Sequence, residues 1–283
     1  MPSAVTDAPG WGSISIPVTV AALLIALVYG RGWSRLRGVS PNAPSLRTLT
    51  IFLGGILALW FAVGSPFATL DHARLTFHML QHLVLMTIAA PLILSADPVR
   101  VMREGLPEGL VHRVLSPSLR RLRGLGNILT HPICCWVAGT SVVIAWHIPA
   151  IFELAMRSTF WHPVQHATFL AGGLLFWWPV IQPWPAAPRW PAWSLPLYLF
   201  FATLPCDALS AFLTFCGRVV YSSHGGGHPA AGASLLHDQE LAGALMWCWV
   251  TFAYLIPAIG ITVQILTSGP AISSAAMDRR HPR

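Results

Sequence analysis

Two histidine pairs carry the chemistry this chain could do. His78 and His82 stand four residues apart in Phe77-His78-Met79-Leu80-Gln81-His82, the spacing that places two side chains on one helix face. Met86 follows one turn later, offset by about 40° at about 100° per residue. Two imidazoles and a thioether in one row suit a soft metal such as Cu(I); hydrogen bonding to neighbouring helices is the plainer alternative. The second pair, His162 and His166, opens another apolar segment in Trp161-His162-Pro163-Val164-Gln165-His166. Pro163 fits a first helical position, where its missing N–H costs nothing. His147 closes a third apolar segment in Trp146-His147-Ile148-Pro149. Three helices can thus present five imidazoles to one shallow layer, enough for one or two metal ions if the helices are neighbours.

Carboxylates and sulfurs extend this set. Asp238, in His237-Asp238-Gln239-Glu240, is placed to cap its own helix, to ligate a metal, or to orient a histidine. Met246 lies two turns deeper on a similar face. Asp207, in Leu204-Pro205-Cys206-Asp207, falls roughly 12 Å inside its segment at 1.5 Å per residue. A carboxylate at that depth needs a proton, a metal or a histidine, and Pro205 frees a carbonyl beside it. His224 and His228 flank the Gly225–Gly227 run, as a mobile capture loop or as solvated residues. His72 and His237 sit on the rim of the layer.

Apolar helices must position these groups. The chain is 54% apolar and only 10% charged, with a mean hydropathy of +0.61; soluble chains carry about 25% charged residues. A spanning helix needs about 20 mostly apolar residues. Seven stretches qualify, at roughly 14–30, 47–66, 77–95, 131–149, 163–182, 193–215 and 240–262. The fold class is therefore all-α: one polytopic membrane domain over residues 1–283, with a tail at 268–283. Asp7 is the only charge before the first span and Arg31 follows it, so that span reads as retained rather than as a cleaved signal.

Charge orients the bundle. All 17 basic residues are arginine. Only Arg74, Arg157 and Arg218 fall on the histidine side of the spans. By the positive-inside rule the N-terminus is outside and the C-terminus cytoplasmic, which puts nine of the twelve histidines at the outer face of a bacterial inner membrane. The net charge of +7 follows this topology and implies contact with lipid rather than nucleic acid. Leu110 to Leu122 alternate apolar residues with arginines, as an interfacial amphipathic helix does. The apolar stretch 151–160 is too short to span and reads as lying on the outer surface. The five cysteines form no CxxC pair, so a thiolate site of the usual spacing is absent.

These motifs together resemble the polytopic CtaG family of cytochrome c oxidase assembly factors associated with caa-type oxidases. The resemblance covers roughly residues 50 to 260. It rests on the HMLQH of span three, the WHIP ending span four, the HPVQH opening span five, the Leu213-Thr214-Phe215 to Tyr221 stretch, and the DQELAGALMW opening span seven. It implies a seven-helix inner-membrane protein that matures haem–copper oxidase through copper delivery, with oxidase subunits as partners and a periplasmic copper chaperone as a further one. Carried over residue by residue, it implies His78, His82, His147, His162, His166 and Asp238 as metal ligands. Where the family follows the tyrosine with proline, this chain has Ser222-Ser223.

A b-type cytochrome is the main rival, since haem takes two axial histidines from different helices. Clustered pairs one turn apart favour an ion over a haem. A rhodopsin needs a lysine for its Schiff base, and none exists. A copper transporter would continue its polar residues into the cytoplasmic half, where few occur beyond Asp207. No nucleophile–base–acid set is apparent, so no enzyme is expected.

Overall fold

The structure, a computed structural model, describes residues 14–39, 43–107, 109, 111, 131–182, 190–222 and 232–267. The loop histidines 224 and 228, most of the amphipathic stretch 110–122 and the tail 268–283 lie outside them. The long helices are α1 (Ile16–Val39), α2 (Leu46–Val63) and α3 (Leu75–Ser95). The short α4 (Pro98–Gly105) follows, then α5 (Pro132–Trp146), α6 (Pro149–Arg157), α7 (Trp161–Ile181), α8 (Ser194–Phe215) and α9 (Gly232–Thr267). A 3-10 segment, Pro66–His72, joins α2 to α3. Among the described residues there is no strand, as the sequence leads one to expect. Six helices among the described residues are long and apolar enough to cross a membrane, and the α5–α6 pair makes a seventh span if counted as one.

Local chemistry sets the breaks. Ser45 caps α2 by accepting from the Thr48 N–H, one of the free donors at a helix start. α5 stops at His147 because Ile148 precedes a proline, which disfavours the helical conformation; Ile148 is extended, with φ −67° and ψ 122°. Pro149 then opens α6 at an angle of 75° to α5. In α3 the residues Leu85–Ala89 form a π turn. Such turns insert an extra residue and re-aim the helix face. Two helices outrun the expected spans: α1 continues to Val39, and α9, at 36 residues, is about 54 Å long at 1.5 Å per residue.

α3 is the axis of the bundle. It packs against α2, α7 and α9, while α5 packs on α7 and α8 on α9. Buried positions fill 61% of α3's most apolar window, against 17–39% in the other single-helix spans, so any ion held on α3 is held inside the protein rather than against lipid. Gly173 lets α7 come close: a Cβ there would lie 2.9 Å from the Met86 Cα and 3.1 Å from the Ala90 Cβ. One core runs along α3 and through α5–α9. A smaller one joins α1, α2 and α4 around Tyr29 stacked on Phe52, ring centroids 3.7 Å apart. Tyr29 donates to the Ala96 carbonyl at 2.7 Å, fixing α1 against the end of α3.

Candidate metal centre

The i, i+4 pairs of α3 and α7 meet face to face. His78 and His82 have ring centroids 4.4 Å apart, and their Nε2 atoms are 2.8 Å apart. His162 and His166 are 4.5 Å apart by the same measure. Across the helices, His78 lies 5.8 Å from His162 and His82 lies 5.4 Å from His166. Four of the five expected imidazoles therefore form one cluster, in which His78 and His82 are buried.

A residue outside the sequence expectations completes it. Asp71, on the 3-10 segment, is buried at 2% exposure. His72 donates from Nδ1 to its Oδ1 at 2.5 Å. His162 Nε2 lies 3.1 Å from its Oδ2, without the alignment of a hydrogen bond. Ligand atoms of Asp71, His78 and His162 all fall within 4.8 Å of one another. Donors about 2.0–2.2 Å from one ion are at most about 4.4 Å apart, so closing this trio takes a few tenths of an ångström. Burial pushes the Asp71 carboxyl up, but the close approach and charge of His162 and the hydrogen bond and charge of His72 outweigh it and hold the group well below the ordinary carboxylate range. In return, the hydrogen bond to Asp71 raises His72 above 6.5, against the opposing effect of its partial burial. His72, expected at the rim, is thus tied to the cluster through Asp71, with 58% of its side chain exposed.

Both helical pairs read His-x-x-Gln-His, and the glutamine of the first is structural. Gln81 donates to the Ala68 carbonyl at 2.9 Å and accepts from His166 Nε2 at 3.1 Å. It clamps the Asp71 segment to α3 and fixes the proton of His166 on Nε2, leaving Nδ1 as the acceptor. Gln165 holds the matching position on α7 and is 1% exposed. The repeated glutamine was the available signal for Gln81. For Asp71 the only signal was its place beside His72 in a short linker between two apolar segments.

The remaining expected residues separate. Asp238 spends its carboxylate on α3: it accepts from the Leu75 N–H at 2.6 Å and from the Thr76 hydroxyl at 2.6 Å. It thus caps α3 from another helix, where no side chain of α3's own start does so, and sets the height of His78 one turn on. Its own helix gets no such cap from it. His147 lies one layer away. Its Nδ1 donates to the Val143 carbonyl at 2.7 Å, and Tyr221, the tyrosine after α8, donates to its carbonyl at 2.7 Å. Phe152 of α6 packs between Tyr221 and His78, with ring centroids 4.2 and 5.1 Å away, tilted to the first and edge-on to the second. Met86 and Met246 line a small cavity with His82 and His147. Asp207 keeps one carboxylate oxygen buried without a hydrogen bond, and among the described residues it joins no group of three metal-binding side chains. His237 is 71% exposed beside Glu240.

Access to the cluster comes from the side. A cavity of about 750 Å³ runs between α1, α2 and α7 and ends on Asp71, His72, His162 and His166. Its walls are otherwise mostly apolar, from residues such as Val18, Ile25, Ile56 and Leu170. The arrangement offers a carboxylate oxygen and imidazole nitrogens at the end of a mostly apolar passage. This donor set is one for a borderline divalent ion.

Known proteins resemble the chain over most of its length. The chain is 26% identical over 272 residues to the uncharacterized protein Mb0105 of Mycobacterium bovis and, to the same extent, to the uncharacterized protein MT0111 of Mycobacterium tuberculosis. It is 22% identical over 263 residues to the uncharacterized protein ML1998 of Mycobacterium leprae. These matches cover 93%, 93% and 87% of this chain but only 39%, 39% and 38% of the relatives, so the chain spans about two fifths of their length. No solved structure matches it. Residues 27–268 match the family model of the cytochrome c oxidase caa3 assembly factor, Caa3_CtaG, and the chain belongs to that family.

Proposed function

We propose that this assembly factor takes a copper ion as cargo at Asp71, His78 and His162, and supports maturation of a copper centre in the oxidase. The observation that carries the reading is the convergence of three buried or half-buried ligand atoms within 4.8 Å. His72, His82 and His166 stand around them as orienting or exchange partners. Such outer partners fix imidazole tautomers and raise ligand affinity about 10–100-fold.

The chain's own groups prepare the site without any ion. Asp71 supplies charge against the desolvation of a cation. His162 and His72 hold that carboxylate ionised. The Gln81 clamp keeps the 3-10 segment on α3. Binding then exchanges the protons shared in this network for the metal. By arginine placement, the cluster faces the outer side of a bacterial inner membrane. A periplasmic copper chaperone would load it there, and an oxidase subunit would receive the ion. Release to a partner, rather than reaction, is its use, so no catalytic residue is assigned.

The test is a deletion strain grown at limiting copper. The wild-type chain restores oxidase activity. Asp71→Asn and His162→Ala each leave it reduced at least ten-fold at equal protein level, with partial rescue by added copper. Full activity in both variants overturns the reading. A Soret band with sharp α/β bands in the purified chain would replace copper by haem.

A further inference from the structure

Beneath the histidine cluster lies a small cavity of about 30 Å³ lined mostly by buried residues, room for one water-sized occupant. Its walls carry Met79 and Met86 from α3, Met246 from α9, Cys206 from α8, and the rings of His82 and His147. Apolar core packing accounts for methionines and cysteines on facing helices. It does not account for the ring nitrogens. His147 is 7% exposed, and its Nδ1–H is committed to the Val143 carbonyl. That bond leaves a lone pair on Nε2, which is buried with no hydrogen-bond partner. His82 is 5% exposed and has a similarly orphaned Nδ1. A buried polar atom without a partner costs about 1–3 kcal/mol. An imidazole whose other nitrogen donates to a backbone carbonyl is the ordinary posture of a metal-ligating histidine.

We infer that this cavity is a second metal site, specific for a soft monovalent ion of the Cu(I) class, held by His147 and His82 with thioether sulfur from Met86, Met79 or Met246. Three observations select that ion. Sulfur and imidazole donors favour Cu(I) over harder cations. No acidic residue lines the cavity, so nothing there neutralises a second positive charge. The Born cost of burying an ion in apolar surroundings grows with the square of its charge, which makes a divalent ion about four times as costly as a monovalent one. The π turn of α3 has a purpose in this reading: it supplies Met86 and Thr87 to the cavity wall. His82 belongs to both regions, since its Nε2 touches His78 while its ring lines the cavity. The inference goes beyond the Asp71 site and does not depend on it.

Silver(I) is a redox-inert probe for the soft site and Cu(II) a probe for the Asp71 trio. The full chain in detergent is titrated with each, and X-ray absorption reads the ligands of bound silver. The expected result is one tightly bound silver per chain with sulfur in its first shell. The conservative double variant Met86→Leu/Met246→Leu weakens silver binding at least ten-fold and leaves Cu(II) binding unchanged. Asp71→Asn does the reverse. A silver shell of nitrogen and oxygen alone in the wild-type chain overturns the inference, and needs no variant to fold. So does silver binding that falls in Asp71→Asn but not in the methionine variant.

Discussion

The Asp71 cluster and the methionine-lined cavity share one residue, His82, and little else. The first is built from oxygen and nitrogen, carries a negative charge, and is reached through a wide lateral passage. The second is built from nitrogen and sulfur, has no acidic residue in its lining, and is small, with mostly buried walls. Both hang on the same two turns of α3. What separates them is which neighbours face those turns: the 3-10 segment and α7 above, the end of α5 with α8 and α9 below. Charge and softness are therefore assigned by packing partners rather than by the histidines.

Perturbations should divide along that line. The largest effect is expected from His78→Ala combined with His162→Ala, which removes two of three donors and should cut Cu(II) affinity at least 100-fold while silver binding holds; isothermal titration reads both. Gln81→Leu comes next. It frees the 3-10 segment and the His166 proton, and a loss of about ten-fold in Cu(II) affinity is expected, again without effect on silver. An equal loss of both ions would merge the two regions into one site. Asp238→Ala acts on both alike, because it unties the start of α3. A lost cap of this kind costs about 0.5–2 kcal/mol, seen as a lower melting temperature in detergent and not as a change in ion preference.

The smallest effect is electrostatic and confined to the upper region. In the ion-free chain His72 titrates above 6.5, and Asp71→Asn returns it toward that value; NMR of the imidazole protons measures both. The sign of the stability effect follows. A raised folded-state value means the His72 contribution is complete below 6.5 and is lost as pH rises through the raised value. Asp71 is depressed, so its contribution is complete above its ordinary 3.8 and is lost as pH falls through its lower folded value. The pair supports the fold best between those limits.

Much of this was legible before folding. Helical spacing alone joins His78 to His82 and His162 to His166, and hydropathy alone makes the chain an all-helical membrane bundle. Asp71 was not legible, because a seven-residue 3-10 turn has no periodicity to mark which side chain points inward. Its role arises when α7 closes over the turn. Asp238 suggested a local cap. The helix it caps starts 163 residues earlier in sequence, a pairing no local rule supplies. His147 was grouped with the other four because its depth matched. Depth says nothing of azimuth, and the break at Ile148–Pro149 leaves it facing the sulfur-lined side. The π turn leaves no mark in residue type at Leu85–Ala89 and lies where α3 meets α7 at Gly173.

The most direct test loads the purified chain with one equivalent of Cu(II) and counts bound copper by mass spectrometry beside Asp71→Asn/His78→Ala/His162→Ala. About one copper per wild-type chain, and under one tenth of that in the triple variant at equal helicity, is the expected result. Equal copper in the two would contradict the assignment of Asp71, His78 and His162 as the cargo site.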